Sequence, residues 1–470
     1  MSLEIIKSNP IIAEYLEKAL KFLDIEDLNP SNLTRLIKYL ASCYVGVKLT
    51  KGIISMYLLR SKYRNFPLNS AMKWRLGTGM FFDCHKFETG GSDPVSIWKT
   101  VHKAARNSWN HVDPNDRGVH MTWIGPTTPL LYLVSPETVG PVFKNTKEVL
   151  NKSHLMDQLV TWLGDGVLFS SDAKWKNRRR MLTPAFHFNM MHNFLPIMNK
   201  HTFAMANELK KLCESGKNKN VDVYAYITLT ALDIISETAM GVSTNAQTST
   251  ESMEYVNGIY WINQKIMARM RNPFIANDTF YKAIRPIEAK KYFSCIQMLQ
   301  QFTKDVITDR IKARQKEGYE LSAGGEKERV FIDILLDEYE AGNIDLAGIR
   351  EEVDVFMFEG HDTTSSAVLS CFYVISTHEK VRNKLEEEVD EIFRGNASRD
   401  VTYDDLSKMP YLDAFFREVL RMYPPVPTNL RKVDKDFRLN DKHLVPKGTE
   451  LCIQAYNVHR DPKHALVFFL

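Results

Sequence analysis

The chain has 470 residues, of which 44% are hydrophobic and 25% charged, and its formal net charge at pH 7 is +4. This composition is typical of a globular protein and excludes a disordered chain. So small a charge on a chain of this size argues against nucleic-acid binding through a broad basic surface. The six cysteines form no CxxC pair and no zinc-ligand spacing, which indicates a reducing compartment.

The first 115 residues have a helical pattern and are predicted to form an N-terminal region that precedes the main domain. They contain no run of 18 uninterrupted apolar residues, so neither a spanning helix nor a cleavable signal peptide is expected. The most apolar stretch, Tyr39 to Leu59, includes Lys48 and Lys51, which cost roughly 2.5–3.5 kcal/mol each at the centre of a bilayer. The stretch suits a helix on an anionic membrane surface as well as it suits a solvent-facing helix with one buried stripe.

The next segment changes from helical to strand-like patterns. Residues 120–143 ("HMTWIGPTTPLLYLVSPETVGPVF") predict a strand, a turn, a second strand and a helix that begins at Ser135 with Pro136 in its first position. Helical periods dominate from Asn151 to about Gln315. Many helices with a small sheet, and no alternation of strand and helix, predict one mainly α domain with a minor β part over residues 116–470.

A long buried helix is predicted from Ile344 to Ile375, because the segment is apolar on most faces. Its middle is interrupted by the polar run "EGHDTT". Gly360 leaves room for a planar ligand or a small molecule to approach the backbone. Asp362 beside Thr363 places an acid next to a hydroxyl, which suits proton delivery into a pocket. The alternative is a polar patch that neighbouring helices satisfy.

Further elements are predicted downstream. A shorter helix is expected from Thr377 to Phe393, opened by the capping pattern Ser376-x-x-Glu379. Another, "PYLDAFFREVLRMYPP", ends at its two prolines. A hairpin and a strand with a turn at Gly448 follow.

Two pairs of residues are spaced to share a helical face. Glu418 and Arg421, three residues apart among apolar neighbours, predict a partly buried ion pair. Trp175 and Arg179, four residues apart, predict an indole N–H and a guanidinium that point the same way and can receive a carboxylate or a phosphate. The alternatives are a solvated pair in the first case and a solvated basic run in the second.

Taken together, these motifs closely resemble those of the cytochrome P450 monooxygenases. The stretch "EVDVFMFEGHDTT" (Glu352 to Thr364) is similar to the family's oxygen-activating helix, above all in family four, the fatty-acid-hydroxylase and insect type, with Val355 where threonine is usual. The Glu-x-x-Arg pair resembles the K-helix pair, which would be structural, and the Trp-x-x-x-Arg pair resembles the C-helix contact with haem. The resemblance covers roughly residues 123–464 in the expected order.

The resemblance implies a haem-thiolate enzyme that inserts one oxygen atom from O2 into a lipophilic substrate. Fatty acids, hormones and xenobiotics are the substrate classes it suggests, and an NADPH-dependent reductase would supply the electrons. It also implies association with the cytosolic face of the endoplasmic reticulum membrane, and no nucleic-acid partner.

The site residues are carried over position by position. Thr363 with Asp362 would deliver protons to iron-bound dioxygen, and Gly360 would lie against the haem. Glu359 matches a carboxylate that can form an ester with a haem methyl group in family four. Three further residues would bind the haem propionates: Trp175, Arg179 and Arg431.

The sequence departs from the family at its end. The family continues with a Phe-x-x-Gly-x-x-x-Cys-x-Gly loop that supplies the axial cysteine, whereas this chain closes with "LVFFL" at Leu470. Cys452 is the nearest cysteine in sequence, but it lies in a predicted strand and is not expected to bind iron. We therefore expect no metal ligand in this chain, poor haem binding and no activity in the 470-residue form.

Three interpretations of the chain remain at this point. One is an incomplete, frameshifted or alternatively spliced copy of a monooxygenase, and another is a non-catalytic pseudo-enzyme that binds or regulates. The third is a fold relative that rearranges peroxides, against which the intact Asp362–Thr363 pair argues.

Overall fold

The computed structural model of the protein describes residues 30–63, 118–124, 127–145, 151–186, 191–215, 221–316, 330–396 and 398–461, with a few single positions before residue 67. The chain divides into two compact units, Met1–Phe66 and Pro67–Leu470. The division predicted near residue 115 lies outside the described residues and stays a prediction.

The described part of the first unit is dominated by a long helix, α1 (Pro30–Ser61). This helix covers the whole apolar stretch noted above. Many of its large apolar side chains are more than half exposed: Tyr44, Val45, Val47, Leu49, Ile53, Ile54, Tyr57 and Leu58. In the part of the chain that the structure describes, no helix has both the length and the apolar character needed to cross a membrane.

The second unit is mainly α-helical with a minor β part, which confirms the predicted fold class. In chain order its elements are β1 (Val119–Ile124), β2 (Thr128–Leu133), α2 (Pro136–Lys144), α3 (Asp157–Leu163), α4 (Asp172–Leu182), α5 (Met191–Glu214), α6 (Val223–Thr238), α7 (Thr250–Arg271), α8 (Pro273–Ala276), α9 (Asp278–Ile284), α10 (Pro286–Lys316), α11 (Phe331–Glu340), α12 (Leu346–Thr377), α13 (Glu379–Phe393), α14 (Tyr403–Ser407), α15 (Pro410–Met422), β3 (Asn429–Lys432), β4 (Phe437–Arg438), β5 (Leu444–Val445), β6 (Glu450–Ile453) and α16 (Ala455–Val458).

The larger sheet joins strands from both ends of this unit in the order β1-β2-β6-β3. Strand β2 pairs antiparallel with β1 and parallel with β6, and β3 pairs antiparallel with β6. Strands β4 and β5 form the predicted hairpin, and the turn before β6 contains Gly448 with a φ of +85°, a backbone conformation that favours glycine. The predicted strand, turn, strand and helix at residues 120–143 are also confirmed, with Ser135 as the N-cap of α2.

Helix α12 lies at the centre of the unit and has 32 residues, each end two residues later than predicted. The Asp345 carboxylate caps it by accepting the N–H of Gly348 at 2.7 Å. Helix α6 packs along it, and α3, α10 and α11 also contact it. The main hydrophobic core is built around these helices, with Trp162, Leu232 and Val353 among its most buried members.

The predicted start of α13 is wrong. Helix α12 continues through Thr377, and the Ser376 hydroxyl donates to the carbonyl of Tyr373 at 2.8 Å instead of capping the next helix. Helix α13 begins at Glu379 with His378 as its N-cap. The capping pattern fails because its serine is still inside the preceding helix.

Candidate functional site

The polar notch, Glu359 to Thr363, lies in the middle of α12. The Thr363 hydroxyl donates to the carbonyl of Glu359 at 2.7 Å, one helical turn earlier. The carboxylates of Glu359 and Asp362 accept no hydrogen bond and form no ion pair with any residue that the structure describes. Burial raises the pKa of Asp362 to about 6, and it raises the pKa of Glu359 to about 7 although Lys152 acts in the opposite direction. Both carboxyl groups can therefore exchange a proton near neutral pH.

Gly360 lies at the closest approach of α12 to α6. A Cβ atom at this position would lie 2.6 Å from Cγ1 of Ile235 on α6. The space into which a Cβ at position 360 would point is thus filled by a helix, and the approach of a planar ligand to Gly360 stays a prediction. The glycine lets α6 and α12 pack closely.

His361 points into the core and is only 1% exposed. Its Nδ1 donates to the carbonyl of Met357 at 2.6 Å, and burial lowers the pKa of the imidazole to about 4. A neutral, buried and hydrogen-bonded imidazole belongs to the packing of the helix, so His361 has no chemical role in the notch.

Trp175 and Arg179 lie one turn apart on α4. This helix is anchored to α12 through Arg178, whose Nε lies 3.7 Å from the carboxylate of Glu352. Positions 175 and 179 share the neighbouring helical face. Trp175 is half-buried and Arg179 is exposed. The indole N–H and the Arg179 guanidinium have no hydrogen-bond partner among the described residues.

Arg431 lies on β3 and is half-buried. Its guanidinium donates to the carbonyl of Leu430 at 2.9 Å and to the side chain of Asn429. No carboxylate of the described residues comes within ion-pair distance of it, and burial lowers the pKa of its guanidinium. Arg431 is thus a partly desolvated cation that has no counter-ion in the described part of the chain.

Lys152 is a site residue that the sequence did not indicate. It precedes α3, and burial lowers the pKa of its ammonium to about 8, with Arg431 acting in the same direction and Glu359 in the opposite one. The charge of Lys152 thus interacts with the charges of both residues. A single lysine in a loop has no periodicity and no motif, so nothing in one sequence distinguishes it.

The predicted ion pair on α15 is confirmed. Both oxygens of Glu418 accept from Arg421, at 2.6 and 2.7 Å. A third N–H of Arg421 donates to the carbonyl of His459 at 2.6 Å. The pair therefore ties α15 to the segment that follows α16.

Cys452 lies in β6, as predicted, and is 5% exposed. Burial raises the pKa of its thiol to about 12. A thiol that stays protonated in a strand is unsuited to bind iron. Within the described ranges, no group of three His, Cys, Asp or Glu side chains could hold a metal ion.

Two open grooves of the unit lie away from the notch. One, of about 770 Å³, is lined by residues of α4 and α11 that include Arg180 and Glu338. The other, of about 820 Å³, is lined by charged residues of α13 to α15 such as Glu391 and Lys408. Neither is lined by a predicted site residue.

The charges of these donors suit a molecule that carries carboxylates. Three cationic side chains lack an anionic partner among the described residues: Lys152, Arg179 and Arg431. The indole of Trp175 shares a helical face with the Arg179 guanidinium. Guanidinium and ammonium groups without counter-ions are strong receptors for carboxylates. Haem has two propionate groups, so these residues fit the cofactor that the sequence resemblance implies.

Comparisons with known proteins give the family. The cytochrome P450 family model matches residues 99–464. The chain is 39% identical to mouse (Mus musculus) cytochrome P450 4V2 over 73% of this chain and 65% of that protein. It is 36% identical to cytochrome P450 4c3 of Drosophila melanogaster, over 74% of this chain and 65% of that protein. It is 30% identical to a human protein named ultra-long-chain fatty acid omega-hydroxylase, over 87% of this chain and 74% of that protein. The chain thus spans about 65% of the length of the first two relatives.

Proposed function

Because the chain belongs to the cytochrome P450 family, we propose that it acts as a haem-dependent monooxygenase on lipophilic substrates. Haem is the cofactor of this family. The names of its relatives place the chain close to family four, and one relative is named a fatty acid omega-hydroxylase. We infer fatty acids as the substrate class, with O2 as the oxidant and an NADPH-dependent reductase as the electron donor.

The observation that carries this proposal is the pair of carboxyl groups in the notch, which have no hydrogen bond or ion pair with a described residue. Burying a charged group without a partner costs free energy, so such groups mark functional sites more often than structural ones. When bound, the haem supplies O2 activation and oxygen insertion. The protein's part is to hold protons: the pKa of about 6 lets the Asp362 carboxyl give and regain a proton near neutral pH, beside the Thr363 hydroxyl.

On the cofactor side, Trp175, Arg179 and Arg431 are the residues that we propose hold the propionates. This role is supported because, among the described residues, the indole of Trp175 and the guanidinium of Arg179 have no hydrogen-bond partner and Arg431 has no counter-ion. Glu359 would be the carboxylate that faces the porphyrin edge and can be esterified. The Glu418–Arg421 pair would be structural.

We also propose that the protein associates with the surface of an anionic membrane, at the cytosolic face of the endoplasmic reticulum. In the second unit, four exposed apolar side chains lie between α8 and the start of α10: Phe274, Phe280, Ile284 and Ile287, the last 88% exposed. Exposed basic residues, Lys282, Arg285 and Lys290, lie among them. Apolar and basic side chains in one short segment are typical of a surface that contacts acidic lipid headgroups.

A haemin titration tests the cofactor assignment. The purified 470-residue chain is expected to bind haemin weakly but at one defined site, with a shifted Soret band and quenched tryptophan fluorescence. Arg431→Gln should weaken binding by roughly ten-fold, since a charge-assisted contact to a carboxylate is lost. Arg417→Gln is the matched control, because Arg417 is exposed and already pairs with Asp413 at 2.8 Å.

The outcome that would contradict the proposal is a chain that binds haemin at no defined site, or equally well in both variants. The expectation that this form is inactive stays a prediction. A carbon-monoxide difference spectrum of the reduced, haem-loaded chain tests it, because a thiolate-type Soret band would show a working axial ligand.

A further inference from the structure

Helix α6 contacts α12 at the polar notch through two neighbouring residues. Ile235 of α6 lies against Gly360: a Cβ atom at position 360 would be 2.6 Å from its Cγ1, 2.9 Å from its Cδ1 and 3.3 Å from its Cβ. One turn earlier in α12, the sulfur of Met357 lies 3.9 Å from the hydroxyl oxygen of Ser236. Two successive turns of α12 are therefore held against α6, and the second of them contains the notch.

Ile235 cannot easily move aside to make room at position 360. Its side chain is branched at Cβ and lies inside a helix, where one χ1 rotamer strongly predominates. The atoms that face Gly360 begin at Cβ, so they follow the backbone of α6 closely. The distance between the two helices is thus set by a stiff side chain on one helix and by the absence of a side chain on the other.

A second glycine shows the opposite case. Gly258 lies on α7, and a Cβ atom there would also be 2.6 Å from its nearest neighbour, but this neighbour is Cε of Met298 on α10. The end of an unbranched methionine side chain moves at little cost. An added methyl group is therefore accommodated at position 258, whereas at position 360 it has to separate two backbones.

The notch moves with the backbone of Gly360. Asp362 and Thr363 follow it within one helical turn, about 4.5 Å along the axis. The Thr363 hydroxyl is bonded to the carbonyl of Glu359 at 2.7 Å, inside the same turn. Because packed interiors transmit small displacements, a change in the spacing of α6 and α12 also displaces the acid and the hydroxyl.

We propose that Ile235 is a positioning residue for the notch. Its contact with the bare backbone of Gly360 sets the distance between α12 and α6, and this distance sets where Asp362 and Thr363 lie beside a bound haem. This inference rests on the proposed haem function, and it assigns to Ile235 no contact with the ligand. Misplacing reacting groups by about 1 Å can lower a rate about 100-fold, so the contact bears on the chemistry as well as on the packing.

Haemin binding to the full 470-residue chain tests the proposal, followed by the Soret band and by tryptophan fluorescence. Gly360→Ala should weaken binding roughly ten-fold, because overpacking against α6 displaces the notch. In an Ile235→Ala background, which removes Cγ1 and Cδ1, the same change should weaken binding less than about two-fold. Gly258→Ala is the matched control and should leave haemin binding within about two-fold of the wild type.

Urea denaturation verifies that each variant is folded before haemin is added. If Gly360→Ala fails to fold, Ile235→Phe takes its place, since it pushes the two helices apart from the α6 side and adds no atom to α12. It should weaken haemin binding to a similar extent.

The remaining outcomes overturn the inference in distinguishable ways. If Gly360→Ala weakens haemin binding equally in both backgrounds, the added methyl group meets the ligand and not α6, and Ile235 has no positioning role. If Gly360→Ala, or a folded Ile235→Phe, lowers only the urea midpoint and binds haemin as the wild type does, the contact is merely structural and the haem function stands. If the wild type binds haemin at no defined site, the proposed function fails and the inference fails with it.

Discussion

The two halves of α12 hold their acidic side chains in opposite ways. In the N-terminal half, Glu352 accepts the N–H of Val167 with both oxygens at 3.1 Å and lies 3.7 Å from Arg178. Asp354 accepts the Thr303 hydroxyl at 2.5 Å and pairs with Arg350. In the notch, a few residues further on, the carboxyl groups have no partner among the described residues.

Burial raises the pKa of the acidic groups in both halves, so desolvation does not distinguish them. The two halves differ in the groups that compensate the cost of burying these carboxyl groups. Glu352 and Asp354 hold neighbouring segments in place, and their burial is offset within the fold. Glu359 and Asp362 have no such partner among the described residues, which supports the proposal that they act on something that enters the site.

The strongest test of this comparison is Glu352→Ala. It leaves the half-buried Arg178, whose Nη1 already lacks a partner, without its carboxylate and removes the acceptor of the Val167 N–H. Breaking a buried ion pair costs about 3–5 kcal/mol, so the urea midpoint should fall strongly. As a control, Asp413→Ala breaks an exposed pair on α15 and should cost about 0.5 kcal/mol or less. Equal, small effects of the two changes would show that the N-terminal half is not held by its pairs.

The second test uses two threonines. Thr303→Val removes the hydroxyl that donates to Asp354 and should cost about 1.5–3 kcal/mol, because the acceptor is a buried carboxyl group. Thr363→Val removes a hydroxyl whose bond goes to a carbonyl inside its own helix, so it should change stability by less than about 0.5 kcal/mol. Urea denaturation measures both. A Thr363 variant as costly as the Thr303 variant would make the notch structural and remove the contrast.

The fold was predictable where local patterns decide it. The apolar faces of α12 and the Ser135-Pro136 start of α2 are properties of short segments, and both are confirmed. The Ser376 cap was not predictable, because only the packed structure determines that α12 runs through Thr377. Tertiary packing overrides a capping pattern in this way.

The site was predictable only in part. Motif spacing placed the ion pair of Glu418 and Arg421 correctly. It did not predict the contact of Gly360 with Ile235, because that contact depends on how two distant helices cross. It missed Lys152, which reaches the site through backbone bonds to two elements far apart in the sequence. A single sequence contains no signal for such contacts.

The smallest effect concerns the pH dependence of the notch. Burial raises the pKa of Glu359 from an ordinary 4.5 to about 7. Between these values the folded protein binds a proton that the unfolded chain has released, so this group makes the fold less stable as pH rises through that window. Glu359→Gln has no charge at any pH. It should match the wild type near pH 4.5 and become more stable as the pH rises to 7. The full shift corresponds to about 3 kcal/mol, which the partial exposure of the Glu359 side chain reduces to about 1 kcal/mol.

Urea midpoints from pH 5 to pH 8.5 measure the difference between the two proteins. The exposed Glu386, replaced by Gln, gives the baseline for the same chemical change at the surface of α13. Lys152 sharpens the test, because it lowers the pKa of Glu359. In a Lys152→Met background the pKa of Glu359 rises further, so the advantage of Gln at high pH should grow. A difference that does not change with pH would mean that a hidden partner holds the Glu359 carboxyl, and the two halves of α12 would then be alike.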